Sequence, residues 1–129
     1  MTKEDNKLVQ KLQNNGKSKS KYGNQKCELD GIKFDSKKEM RRYTQLKSMV
    51  NSGDISSLHI HERFNLQHSY TDISGKKVDR IDYEADFTYL DSDGKLHIED
   101  VKSKVTAQNS TYKLKKKLMA GQGYFIEEI

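Results

Sequence analysis

With 129 residues and 33% hydrophobic content, the chain predicts one modest domain with a thin core and no second domain. The formal charge of +5, from 24 Lys+Arg against 19 Asp+Glu, points to a polyanionic partner, although a lysine-rich solvated surface gives the same sum. The single cysteine, Cys27, excludes an intrachain disulfide and a cysteine-based zinc cluster. No segment approaches the roughly 20 apolar residues of a membrane span or the apolar core of a signal peptide, so the expectation is a soluble cytoplasmic protein that meets no membrane.

Residues 1 to 22 are mostly Lys, Asn, Gln and Ser and predict a basic arm, with a short helix around Glu4 to Leu12, ahead of a domain over 23–129. Cys27-Glu28-Leu29 and Ile32-Lys33-Phe34 flank Asp30-Gly31, a dipeptide suited to the positive φ angles of a two-residue hairpin turn. A helix is expected from Lys37 to Asn51, preceded by Ser36 and stopped by Gly53. An extended segment follows over Leu58 to Leu66. Ser74-Gly75-Lys76-Lys77 should turn the chain into one long strand from Val78 to Leu90, and Leu96 to Ser103 should complete a meander across the Asp91-Ser92-Asp93-Gly94 turn. Ser110 is positioned to cap a second main helix through Ala120, and Gly121-Gln122-Gly123 to lead into a last strand over Tyr124-Phe125-Ile126. The fold class expected is α/β, a mixed α+β sheet in the order α-β-β-β-α-β behind a small hairpin.

Chemistry concentrates in four residues. On a helix, Glu39, Tyr43, Leu46 and Val50 share an arc of about 60°, so Glu39 sits in the apolar face, where a carboxylate wants a partner. Ser36-x-x-Glu39 is also a capping box; a cap and a site carboxylate both remain open for it. Asp100 and Lys102 stand two apart in a strand and emerge on one face, with Leu96 and Ile98 in line. A tight hairpin would bring Asp86 beside them, although Asp86 also alternates with Glu84 and Asp82 as a solvated acidic stripe would. An ion pair at the sheet edge is the alternative for Asp100 and Lys102. Hard oxygen ligands without soft ones suit Mg²⁺, with Mn²⁺ as substitute, and such an ion beside an ammonium is the chemistry of phosphodiester hydrolysis.

Other candidates carry less. His59 and His61 share a strand face, but spacing places no third zinc ligand, and surface or core histidines are the expectation. Asp91-x-Asp93-Gly94 lacks the remaining acids of an EF-hand loop and reads as a hairpin turn. Lys104, Lys113, Lys115, Lys116 and Lys117 would contact phosphates or keep the second helix soluble.

Taken in order, Glu39, Asp86 and Asp100-x-Lys102 resemble the acid, acid and acid-x-Lys elements of the PD-(D/E)xK nuclease superfamily. More narrowly, Tyr22, the run Asp30-Gly31-Ile32-Lys33-Phe34-Asp35-Ser36-Lys37-Lys38-Glu39, Tyr83-Glu84-Ala85-Asp86-Phe87 and Glu99-Asp100-Val101-Lys102 resemble a small phage and prophage family described as containing endonucleases like Holliday-junction resolvases. The likeness spans residues 22 to 129, and Ala85 stands where the superfamily pattern has proline. Glu99 neighbours Asp100 but belongs to the opposite strand face, so Asp100 is the expected ligand. The resemblance implies a restriction-endonuclease-like core and Glu39, Asp86 and Asp100 as metal ligands, with Lys102 as the fourth catalytic residue. It further implies branched DNA as substrate, a symmetric homodimer, a role in recombination, and no small-molecule cofactor. A non-catalytic DNA-binding module of the same fold, and a phage protein that binds a host protein, are the competing expectations.

Overall fold

A computed structural model describes residues 26–129; the expected arm, its short helix and Tyr22 lie outside them. The described residues fall into two compact units divided between Leu46 and Lys47.

In the first unit, β1 (Cys27–Leu29) and β2 (Ile32–Phe34) pair antiparallel. Asp30 and Gly31 take φ of 53° and 76°, the positive pair that a two-residue turn requires. Helix α1 (Lys37–Asn51) begins in this unit at the predicted residues. Ser36 Oγ accepts the Glu39 amide at 3.1 Å, and Glu39 Oε2 accepts the Asp35 amide at 3.3 Å. The capping exchange therefore forms with its return bond one residue earlier than a standard box places it. Tyr43 ties the helix to the hairpin, its ring 5.2 Å from that of Phe34 and its hydroxyl donating to Asp30 Oδ2 at 2.9 Å.

The second unit is built on a mixed four-stranded sheet in the order β3 (Ser56–Gln67), β6 (Ile81–Leu90), β7 (Leu96–Asp100), β8 (Ile126–Glu128). The first two pairings are antiparallel and β7–β8 is parallel. A parallel pair needs a crossover, supplied by α2 (Lys104–Ala107) and α3 (Ser110–Gly121). The alternation of β6 puts Tyr83 and Ala85 in a core with Ile98, Tyr112, Met119 and Ile126, against which Phe64, Leu66 and Tyr124 pack. Tyr112 and Met119 come from α3, so this helix covers the sheet face from which the site strand is held.

The α+β class and the expected order of elements are present, and four boundaries are corrected. The long strand expected from Val78 is broken at Asp79-Arg80: Lys77–Val78 is a separate strand, β5, paired with β4 (Tyr70–Thr71) across the Asp72–Lys76 turn. Beyond the break, the Arg80 guanidinium grips Asp82 Oδ1 at 3.0 and 3.1 Å. Strand β7 ends at Asp100 because Ser103 leaves it to cap α2, its hydroxyl accepting the Thr106 amide at 3.1 Å. Helix α3 is capped by Asn109 rather than Ser110, with Asn109 Oδ1 accepting the Tyr112 amide at 3.1 Å; the amide oxygen of the preceding residue reaches the first turn and Ser110 is already helical. The last strand starts at Ile126, after Gly123 at φ 92° has turned the chain. No helix among the described residues is long and apolar enough to cross a membrane.

Candidate functional site

The carboxyl end of β7 gathers three of the four predicted residues. The Asp91–Gly94 turn makes this possible: Asp91 Oδ1 accepts the amides of Asp93 and Lys95 at 2.9 and 3.0 Å, and Gly94 takes φ 79°. That turn sets a register in which Phe87 faces Glu99 and Leu90 faces Leu96. One step beyond the last pair, Asp86 stands opposite Asp100, and its Oδ2 accepts the Val101 amide at 2.7 Å. The side chain of Asp86 thus takes over a backbone donor that lies between Asp100 and Lys102, and fixes itself to the acid-x-Lys element.

Asp100 is 3% exposed, and both its oxygens have protein partners. Lys102 Nζ lies 3.1 Å from Oδ1, and the Tyr83 hydroxyl donates to Oδ2 at 2.6 Å. A buried carboxylate needs such compensation. Burial raises the Tyr83 phenol, and its bond to the Asp100 carboxylate raises it further, so Tyr83 remains a donor. Lys102 sits 4.3 Å from the centroid of the Tyr112 ring, a cation over an aromatic face. The Tyr112 phenol is raised by burial and then by the charges of Asp100 and Glu128. The backbone of Lys102 remains tied to the sheet: its amide donates to the Ile129 carbonyl at 3.3 Å, while the Ile129 amide donates to the Asp100 carbonyl at 3.0 Å.

Asp100 and Lys102 open onto a cleft of about 330 Å³ bordered by Tyr83, Glu84, Thr106, Asn109, Thr111 and Lys115. Of the five lysines expected to meet phosphate, Lys115 lines this cleft. Lys116 is paired with Glu128 and Lys113 donates to Gln108 Oε1 at 2.8 Å. Lys104 and Lys117 are exposed. Glu39, the fourth predicted residue, belongs to the first unit, 3% exposed and bonded as described above.

Three further features escape the sequence pattern. Tyr83 carries no signal for its bond to Asp100. Glu99, assigned to the face away from the site, is nonetheless 1% exposed, with the Tyr89 hydroxyl donating to it at 2.5 Å. His61 departs from strand geometry, with φ 57°. His61 is half-buried, whereas His59 is exposed and pairs with Thr88. In the second unit a ring nitrogen of His61 and a carboxylate oxygen of Asp86 lie within 4.8 Å of each other. The donors at this end, carboxylate oxygens with one imidazole, suit a divalent first-row cation.

Against known proteins, the model of a family described as "Protein of unknown function (DUF1064)" matches residues 19–127. No curated protein and no solved structure matches the chain.

Proposed function

We propose that this chain, which belongs to the DUF1064 family, is a metal-dependent DNA endonuclease that hydrolyses phosphodiester bonds. The observation that supports this best is the bond from the Val101 amide to Asp86, which holds one acid against the Asp100-x-Lys102 element. In the PD-(D/E)xK resemblance these are the residues that do the chemistry, and Glu39 is their fourth member. The resemblance implies Glu39 as a further ligand; within the second unit Asp86 and Asp100 would hold the cation, Mg²⁺ or Mn²⁺, which supplies Lewis acidity at the phosphoryl group when bound.

The chain's own groups have separate tasks in this reading. Lys102 places a positive charge where negative charge develops on the phosphate. Asp100, which it pairs with, fixes the ammonium at the cleft floor, and Tyr83 holds Asp100 from the other side. Lys115, Thr111 and Asn109 on the cleft border offer a cation and polar groups to a neighbouring phosphate. Branched DNA is the substrate we favour, cut by a homodimer during recombination in the cytoplasm of a bacterial host of a phage or prophage. Two scissile strands related by symmetry call for two related sites.

A DNA-binding module without catalysis is the second reading, favoured by the engagement of both Asp100 oxygens with protein partners. Cleavage of labelled four-way-junction, flap and linear duplex DNA with Mg²⁺, Mn²⁺ or EDTA separates the two. A nuclease cuts with metal only, and its Asp100→Ala variant binds without cutting. Binding without cleavage by both proteins, with steep salt dependence, would establish the module.

A further inference from the structure

Strand β3 holds two left-handed residues that the nuclease reading leaves unused, Ser57 near its start and His61 within it. His61 lies inside β3 yet adopts φ of +57°, a left-handed conformation that a residue with a Cβ rarely takes. On either side the ladder is regular, Ile60 pairing with Phe87 and Glu62 with Ala85. His61 therefore stands opposite Asp86 in an unshifted register, and residues directly opposite in an antiparallel pair are neighbours. A His61 ring nitrogen and an Asp86 carboxylate oxygen lie within 4.8 Å, so modest side-chain rotation lets both reach one cation at about 2.0–2.2 Å. The Val101 amide already orients the Asp86 carboxylate, in the manner of an outer partner that steadies a ligand.

We propose that His61 is a metal ligand beside Asp86, and that this gives the centre a preference for Mn²⁺ or a later first-row ion over Mg²⁺. The inference rests on the metal-dependent reading above and goes beyond it in naming the ion class. Mg²⁺ sheds water reluctantly and favours oxygen donors, whereas an imidazole nitrogen strengthens binding along the series from Mn²⁺ onward. An all-carboxylate site has no such bias beyond the ordinary order of the ions.

The test uses the full chain and its variants His61→Gly and Asp86→Asn. Binding of Mn²⁺ and of Mg²⁺ is measured by calorimetry, together with the melting temperature with and without metal. Glycine removes the imidazole and suits the positive φ, so His61→Gly should fold without metal, which its metal-free melting curve checks. Wild type should bind Mn²⁺ at least about tenfold tighter than Mg²⁺. His61→Gly should lose about 10–100-fold in Mn²⁺ affinity with a smaller loss for Mg²⁺, and Asp86→Asn should lose both. If His61→Gly binds Mn²⁺ as wild type does while Asp86→Asn does not, the role of His61 is overturned and the metal-dependent reading stands. Equal losses of both ions in His61→Gly overturn the selectivity. Failure of wild type to bind either ion overturns the inference and the metal-dependent reading together.

Discussion

Strand β7 carries a charged cluster at each end, and the two behave as opposites. At its start His97 lies between two acids, Nε2 2.7 Å from Asp91 Oδ2 and Nδ1 2.9 Å from Glu127 Oε2, with its ring stacked on Tyr89 at 5.0 Å. At its end Asp100 lies between Tyr83 and Lys102. The first cluster stays in contact with water, so its charges are screened and each group has an alternative partner in solvent. The second is buried around the carboxylate, where a lost partner is not replaced. Ion pairing therefore serves stability weakly at one end and holds the candidate site rigidly at the other.

The sharpest break between the two ends should come from Asp100→Asn, which removes the charge while keeping the shape. Cleavage of junction DNA is expected to fall at least about 10²-fold, measured under single-turnover conditions, while His97→Gln leaves the rate within about twofold of wild type. Next comes Tyr83→Phe, which leaves the buried Asp100 carboxylate short of one donor. Urea unfolding should show a loss of about 1–3 kcal/mol, a value that a solvated carboxylate would not give.

Lys115→Ala should weaken DNA binding across all sequences and reduce the slope of log K against log salt by about 1. Lys116→Ala should change that slope less, because Lys116 is already paired with Glu128. The smallest effect belongs to the start of the strand. The Asp91 carboxylate beside it raises the His97 pKa above the ordinary histidine value, with Glu127 adding to the effect against desolvation. Protonated His97 thus stabilises the fold fully below the ordinary value of about 6.5, and this contribution is lost as pH rises through the raised value. Asp91, held low first by His97, works in the other direction and loses its contribution as pH falls through its depressed value. Wild type should therefore gain most over His97→Gln in mildly acidic buffer, by less than about 1 kcal/mol. Thermal melts from pH 5 to 9 should show the gap closing as pH rises, and closing further at high salt.

What the sequence revealed follows from how local each determinant is. Helix α1 was legible because Tyr43, Leu46 and Val50 recur at helical spacing and Ser36 and Gly53 mark its ends. The Asp30-Gly31 and Asp91–Gly94 turns were legible because a short acidic side chain and a glycine satisfy the turn within themselves. The acid-x-Lys face was legible because a spacing of two survives even though the regular strand stops at Asp100. The break at Asp79-Arg80 was hidden because it depends on β5 pairing with β4 rather than on its own residues. The burial of Glu99 was hidden because period two assigns a face but says nothing about what covers it. The left-handed φ of His61 was hidden as well, because histidine does not announce that conformation as glycine would.

Strand β8 also shields an edge. With it in place, β7 has a neighbour on both sides, and the backbone of Ile129 closes the ladder at Asp100 and Lys102. Without residues 123–129, one flank of β7 would present open amides and carbonyls beside Ile98, a template for strand addition from another chain. During synthesis that flank stays open until the last strand emerges and crosses back by way of α3. A prematurely terminated chain would then be sticky, and aggregation of a truncated product would report on the same pairing that holds the candidate site.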